Sequence, residues 1–122
     1  MILNYWFEKE DMQTDNTGVK YDSGKPRPEL IPPEFLTATA DILGYGAAKY
    51  GDRNWEKGMN WSRIYGALIR HLNAWWSGES KDPETNKSHL WHAVANIAFL
   101  ITYEARGTGI DDRPLESSEE RS

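Results

Sequence analysis

The segment H-L-W-H-A-V-A-N-I-A-F-L-I-T-Y-E-A-R, residues 89–106, is apolar on nearly every side of a helix. A helix of that kind has to lie at the centre of whatever the chain folds into. Ser88 is placed to cap it and Gly107 to stop it. Within it His89, His92, Ala93, Asn96 and Leu100 fall on one stripe. Two imidazoles and an amide on a buried stripe are costly unless each finds a polar partner. Satisfied core hydrogen bonds and a ligand site are the two readings, and the second is preferred.

All three histidines of the chain lie between Arg70 and Asn96. Between His71 and His89 stand Glu79, Asp82 and Glu84, in a polar link joining two apolar-periodic segments. Imidazole nitrogens and carboxylate oxygens converging between helices are what a divalent metal needs. Taken alone, a histidine at position 71 on an apolar helix face is the ordinary satisfied core residue.

Two further helices are predicted. One begins at Pro33, where a missing N–H costs nothing, and ends at Gly51. Phe35, Ala38, Thr39, Ile42, Leu43, Gly46, Lys49 and Tyr50 share one broad face of it. Gly46 there would let a neighbouring backbone approach closely. Lys49 either snorkels to solvent or reaches into a pocket. The other helix, capped by Ser62 or Asn60, runs to about Ser77 and stops at Gly78. Ile64, Ala67, Leu68, His71, Leu72 and Trp75 form its apolar face, and Arg70 points elsewhere, free for a phosphate or a carboxylate. The fold class expected is all-α, a small helical bundle whose core is completed by homo-oligomerisation, as dimer or tetramer.

The remaining segments are loops. Residues 20–33, K-Y-D-S-G-K-P-R-P-E-L-I-P-P, are stiffened by four prolines, which argues against a helix. Lys20, Lys25 and Arg27 could donate to a phosphate there, with Asp22 as a polar or metal contact; a solvated lead-in is the plainer reading. It is not a P-loop, since the Gly-Lys-Ser/Thr ending is absent. The connector G-D-R-N-W-E-K-G-M-N-W offers aromatics with Asn and Arg, a set that can hold a nucleobase or simply pin a loop to the core. The domain is expected over 20–107, between an N-terminal arm (1–19) and a disordered acidic tail (108–122).

With no cysteine, disulfide and thiolate chemistry are out. No run is long and apolar enough for a membrane span and no leader pattern opens the chain, so a soluble, cytoplasmic protein is expected. A net charge of −5 disfavours a nucleic-acid polymer. Residues 20–70, however, hold eight basic against six acidic side chains. That balance suits a small anionic ligand.

K-Y-D-S-G-K-P-R-P-E-L-I-P, G-A-A-K-Y-G-D-R-N-W and R-H-L-N-A-W-W-S-G-E-S-K-D-P-E-T-N-K-S-H-L-W-H-A, in this order, resemble the phage dATP/dGTP diphosphohydrolase family, related to the MazG-like all-α nucleoside triphosphate pyrophosphohydrolases. The resemblance covers about residues 20–107. It implies a Mg²⁺- or Mn²⁺-dependent hydrolase cutting a purine deoxynucleotide between the α and β phosphates, in nucleotide-pool control or modified-purine synthesis. The Glu-Glu-x-x-Glu and Glu-x-x-Asp boxes of the MazG-like pattern fall here near Arg70 and His71, and near His89 and His92. The acidic box is therefore absent, and histidines with Glu79, Asp82 and Glu84 have to replace it.

On that reading His71, Glu79, Asp82 and His92 are the expected metal ligands, and Glu84 or His89 serves as general base or supports the ligands. Lys20, Lys25, Lys49 and Arg70 neutralise phosphates. Asn54 with Trp55 or Trp61 holds the base; Asp22 and Asn96 complete the substrate side. The alternatives are a non-catalytic nucleotide- or metal-binding helical module, and a phosphohydrolase releasing inorganic phosphate.

Overall fold

The computed structural model describes residues 18–115. Most of the expected N-terminal arm, and residues 116–122 of the expected tail, lie outside that range. Three α-helices account for the regular structure: α1 Pro33–Tyr50, α2 Trp61–Trp76 and α3 His89–Arg106. Among the described residues there is no strand, only two isolated bridges. The all-helical expectation holds, and so do the limits of each helix to within a residue or two. No described helix is long and apolar enough to cross a membrane.

Helix α3 packs against both α1 and α2, which is what its apolar circumference requires. The core joins Ala38 and Ile42 of α1, Ile64 and Leu68 of α2, and Ala93, Ala95 and Tyr103 of α3. Burying Ile64 and Leu68 contributes on the order of 1.5–3 kcal/mol each. The Ser88 cap, whose hydroxyl accepts from the Leu90 N–H at 3.1 Å, is worth about 1 kcal/mol, so packing outweighs capping here. Tyr103 is fully buried, and its hydroxyl donates to the Trp55 carbonyl at 2.6 Å. Burial pushes that phenol's pKa up. The broad apolar face read for α1 is buried only at its centre: Phe35 and Tyr50 are exposed. Nor does a backbone approach Gly46, since an added Cβ there would meet nothing within 4 Å.

Neither Asn60 nor Ser62 caps α2 as expected. Asn60 stands at the cap position without a side-chain cap bond. Instead, the Ser62 N–H donates to Asp112 Oδ1 at 2.9 Å, and the Ser62 hydroxyl donates to Asp112 Oδ2. A carboxylate facing the first turn also complements the helix dipole. Residues 108–115, expected to be the start of a disordered tail, thus pack back on the start of α2. Ile110 N–H donates to the Met59 carbonyl at 3.3 Å, and Trp61 N–H to the Ile110 carbonyl at 2.9 Å. Trp61 Nε1 reaches the Thr108 carbonyl at 2.9 Å. The two strands of chain pass so closely that a Cβ at Gly109 would run into the Met59 carbonyl, and Gly109 also sits at φ 78°. Only glycine fits.

The Pro-rich segment up to Pro32 forms a compact unit of its own. It is not wholly irregular: Pro28–Leu30 make one 3₁₀ turn. Lys25 N–H closes a turn on the Asp22 carbonyl at 3.1 Å, and Arg27 pairs with Glu29 at 2.9 Å.

Candidate metal centre

The link between α2 and α3 is a tight, hydrogen-bonded loop. Asp82 N–H donates to the Lys87 carbonyl at 2.9 Å, and Asn86 N–H to the Asp82 carbonyl at 2.7 Å. Asp82 Oδ1 accepts from the Glu84 N–H at 2.8 Å, the Asx turn that an Asp-Pro pair favours. His89 N–H donates to the Ser80 carbonyl at 3.0 Å, tying the loop to the start of α3. With Oδ1 so occupied, Oδ2 faces the histidines, 3.9 Å from His71 Nδ1 and 4.0 Å from His92 Nε2.

His89 is buried, and its Nε2 lies 2.7 Å from Glu79 Oε1. An ionised carboxylate can only accept, so Nε2 bears the proton and Nδ1 presents a lone pair. That lone pair faces His71 Nδ1 at 2.9 Å. Two ring nitrogens so placed share either a proton or a cation. Nitrogens about 2.1 Å from one ion, at the right angle of an octahedron, stand about 3.0 Å apart. Ligand atoms of His71, Asp82 and His89 all lie within 4.8 Å of one another. The donor set and its spacing therefore fit a divalent ion.

His92 stacks on His71, ring centroids 4.5 Å apart and 6° from parallel, and its Nε2 lies 2.8 Å from the Thr85 hydroxyl. Burial, ahead of the neighbouring charges, lowers the pKa of both His71 and His92. Neutral imidazole is the form that binds metal.

The other predicted residues fall as follows. Glu79 touches the outer nitrogen of His89, so within this geometry it sits behind a donor. Glu84 is exposed, within electrostatic reach of His92 and of Lys49. Lys49 is exposed; a hydrogen bond to Tyr50, first among several effects, raises its pKa. Arg70 is exposed, folded back over Gly66. Asn96 is buried and donates to the His92 carbonyl at 3.0 Å, one turn earlier on α3. Trp55 stacks on Phe99 at 4.7 Å, and with Asn54 it lines a cleft along α1. Trp61 belongs to the opposite end of α2, under Arg113. Within the Pro-rich unit, Lys20, Asp22 and Lys25 line one small polar hollow of about 230 Å³ with Arg27 and Glu29.

Three participants went unread in the sequence. Thr85 meets His92, and Lys87, whose charge is felt at His92, pairs with Asp41 of α1 at 2.6 Å. An acidic residue amid the apolar pattern T-A-T-A-D-I-L was the available signal for Asp41.

The chain matches the family described as dATP/dGTP diphosphohydrolase, N-terminal, over residues 15–113. It is 34% identical over 97 residues to a Salmonella phage PMBT28 protein named dATP/dGTP diphosphohydrolase, a stretch covering 80% of this chain and 33% of that protein. The chain thus spans about a third of the length of that relative. No solved structure matches. With that match running over residues 15–113, the greater part of the chain, the chain belongs to the family of dATP/dGTP diphosphohydrolase N-terminal domains.

Proposed function

We propose that this chain hydrolyses dGTP or dATP to the monophosphate and pyrophosphate, with a divalent ion between α2 and α3. The observation that carries the reading is the pair of facing nitrogens, His71 Nδ1 and His89 Nδ1, 2.9 Å apart beside Asp82 and backed by Glu79. The name of the phage relative supports the substrate and the reaction class.

His71, Asp82 and His89 would hold the ion, and Glu79 would fix the tautomer of His89. Of Mg²⁺ and Mn²⁺, two imidazoles favour Mn²⁺, since Mg²⁺ prefers oxygen. Held there, an ion would supply positive charge toward phosphate oxygens and Lewis acidity toward water. Glu84 is the base that takes the proton of the attacking water, and His92 and Thr85 hold the loop carrying it in place. Attack at the α phosphorus builds negative charge on its oxygens, which Lys49 and Arg70 offset. Lys20 and Lys25 give the Pro-rich unit a phosphate-binding hollow of its own.

Incubation with dGTP and Mn²⁺ in ¹⁸O-labelled water tests this. Labelled dGMP with unlabelled pyrophosphate is expected. Release of dGDP with orthophosphate sinks the reaction, and binding without turnover leaves only a nucleotide-binding module. Self-association belongs to the same reading: Tyr65 and Ile101 are 58% and 61% exposed on adjacent helices. Light scattering should give a dimer or tetramer, and Ile101→Arg should give a monomer.

A further inference from the structure

A cleft of about 400 Å³ runs along α1 toward the Asn54–Lys57 turn and Phe99 of α3. It is of the size that holds small ligands. Tyr50, Trp55 and Phe99 give it aromatic walls, and Asn54 and Arg63 bring polar groups to it. The Arg63 side chain has no hydrogen-bond or ion-pair partner among the described residues.

Gly46 lines the same cleft. Inside a helix glycine is disfavoured relative to alanine, and no neighbour stands where its side chain would be. Packing does not require glycine at this position. What the missing side chain preserves is the open space of the cleft. Phe99 follows His92 by seven residues on α3, about 10 Å along the axis. That is the reach from an α phosphate to the far edge of a purine.

We infer that this cleft takes the purine base of the substrate, with Arg63 against its O6 and N7 edge, and so favours guanine over adenine. The inference rests on the reaction proposed above. A guanidinium donates to both O6 and N7 of guanine, whereas adenine turns an amino donor toward it. Aromatic walls accept either base by stacking.

The test separates the cleft from the reaction by using deoxynucleoside monophosphates, which have no anhydride to cleave. The full chain is titrated with dGMP and with dAMP, and backbone amide and indole shifts are followed by NMR. Shifts are expected at Gly46, Trp55 and Phe99, with dGMP the tighter ligand. Arg63→Ala should weaken dGMP roughly tenfold or more and dAMP far less; equal losses overturn the guanine assignment. Gly46→Leu should melt no lower than the wild type yet lose the dGMP shifts. Unchanged dGMP binding in that variant overturns the cleft as base site. Wild-type protein that binds dGMP in the cleft but releases no pyrophosphate from dGTP sinks the reaction alone. Hydrolysis without shifts at these residues sinks the cleft alone.

Discussion

Glu79 Oε1 accepts from His89 Nε2, the two atoms 2.7 Å apart, and in doing so turns the other nitrogen of the ring toward His71. Carboxylates behind metal-binding histidines are worth about 10–100-fold in metal affinity. Glu79→Ala is therefore expected to weaken Mn²⁺ binding by a factor in that range while leaving the fold intact, as read by calorimetric titration. Unaltered affinity would take Glu79 out of this role.

Ligand atoms crowded without a cation are destabilising, and a cation that binds only the folded form raises stability by mass action, about 2.7 kcal/mol at a hundred times its dissociation constant. Mn²⁺ should accordingly raise Tm progressively with concentration. In His71→Ala the increment should vanish. In His92→Ala, whose ring stacks on His71 and meets Thr85, it should shrink but persist. A full increment in the His71 variant contradicts the ligand assignment.

Stability without metal should depend on pH in a definite direction. His71 and His92 have folded-state pKa values below the ordinary 6.5, chiefly through burial. Between those lowered values and 6.5 the unfolded chain binds more protons than the folded one, so stability falls as pH falls through this window. Melting in EDTA at pH 7.5 and 5.5 should show a lower Tm at the acid value. Replacing both histidines by Gln should flatten the difference, and a wild-type profile already flat would remove the argument.

Lys25 tests the Pro-rich unit. If its charge meets phosphate oxygens whose charge grows toward the transition state, Lys25→Ala should lower kcat as well as raise KM for dGTP, with Tm unchanged. Wild-type kcat/KM would make the hollow merely structural.

Asp112→Ala should lower Tm by a few degrees by uncapping α2. The hydrogen bonds from Ser62 hold the Asp112 carboxyl below its ordinary pKa, so its contribution is present above that ordinary value and is lost as pH falls through the lowered one. A variant melting with the wild type at neutral pH would show the cap to be idle.

Local signals made most of the helical frame legible. Pro33, Ser88 and the glycines at 51, 78 and 107 mark the helix ends, and the 3.6-residue period located Ile64, Leu68 and Ala93 in the core. That the histidines and Asp82 meet was also readable, because a short link can only return the chain to where it left. Which nitrogen faces which partner was not, since it depends on side-chain torsions that no residue spacing encodes. The capping of α2 by Asp112 and the burial of Tyr103 against the Trp55 carbonyl join residues 50 and 48 apart. Contacts at that separation leave no periodic trace. Trp55 and Trp61, interchangeable as letters in one connector, ended on different surfaces for the same reason.

The junction of Met59 and Trp61 with Ile110 sits at the opposite end of the α2–α3 pair from the histidines, and it works there as an index mark. His71 and His92 meet only at one setting of the two helices along their common direction; a slip by a single turn, about 5.4 Å, would part rings now 4.5 Å between centroids. Pinned at the link by the Lys81–Ser88 bridge and at the far end by the Asn60–Ile110 bridge, neither helix can slide without breaking both. The alignment of the donor atoms is thus gauged from a point outside the site, where the chain crosses itself at Gly109.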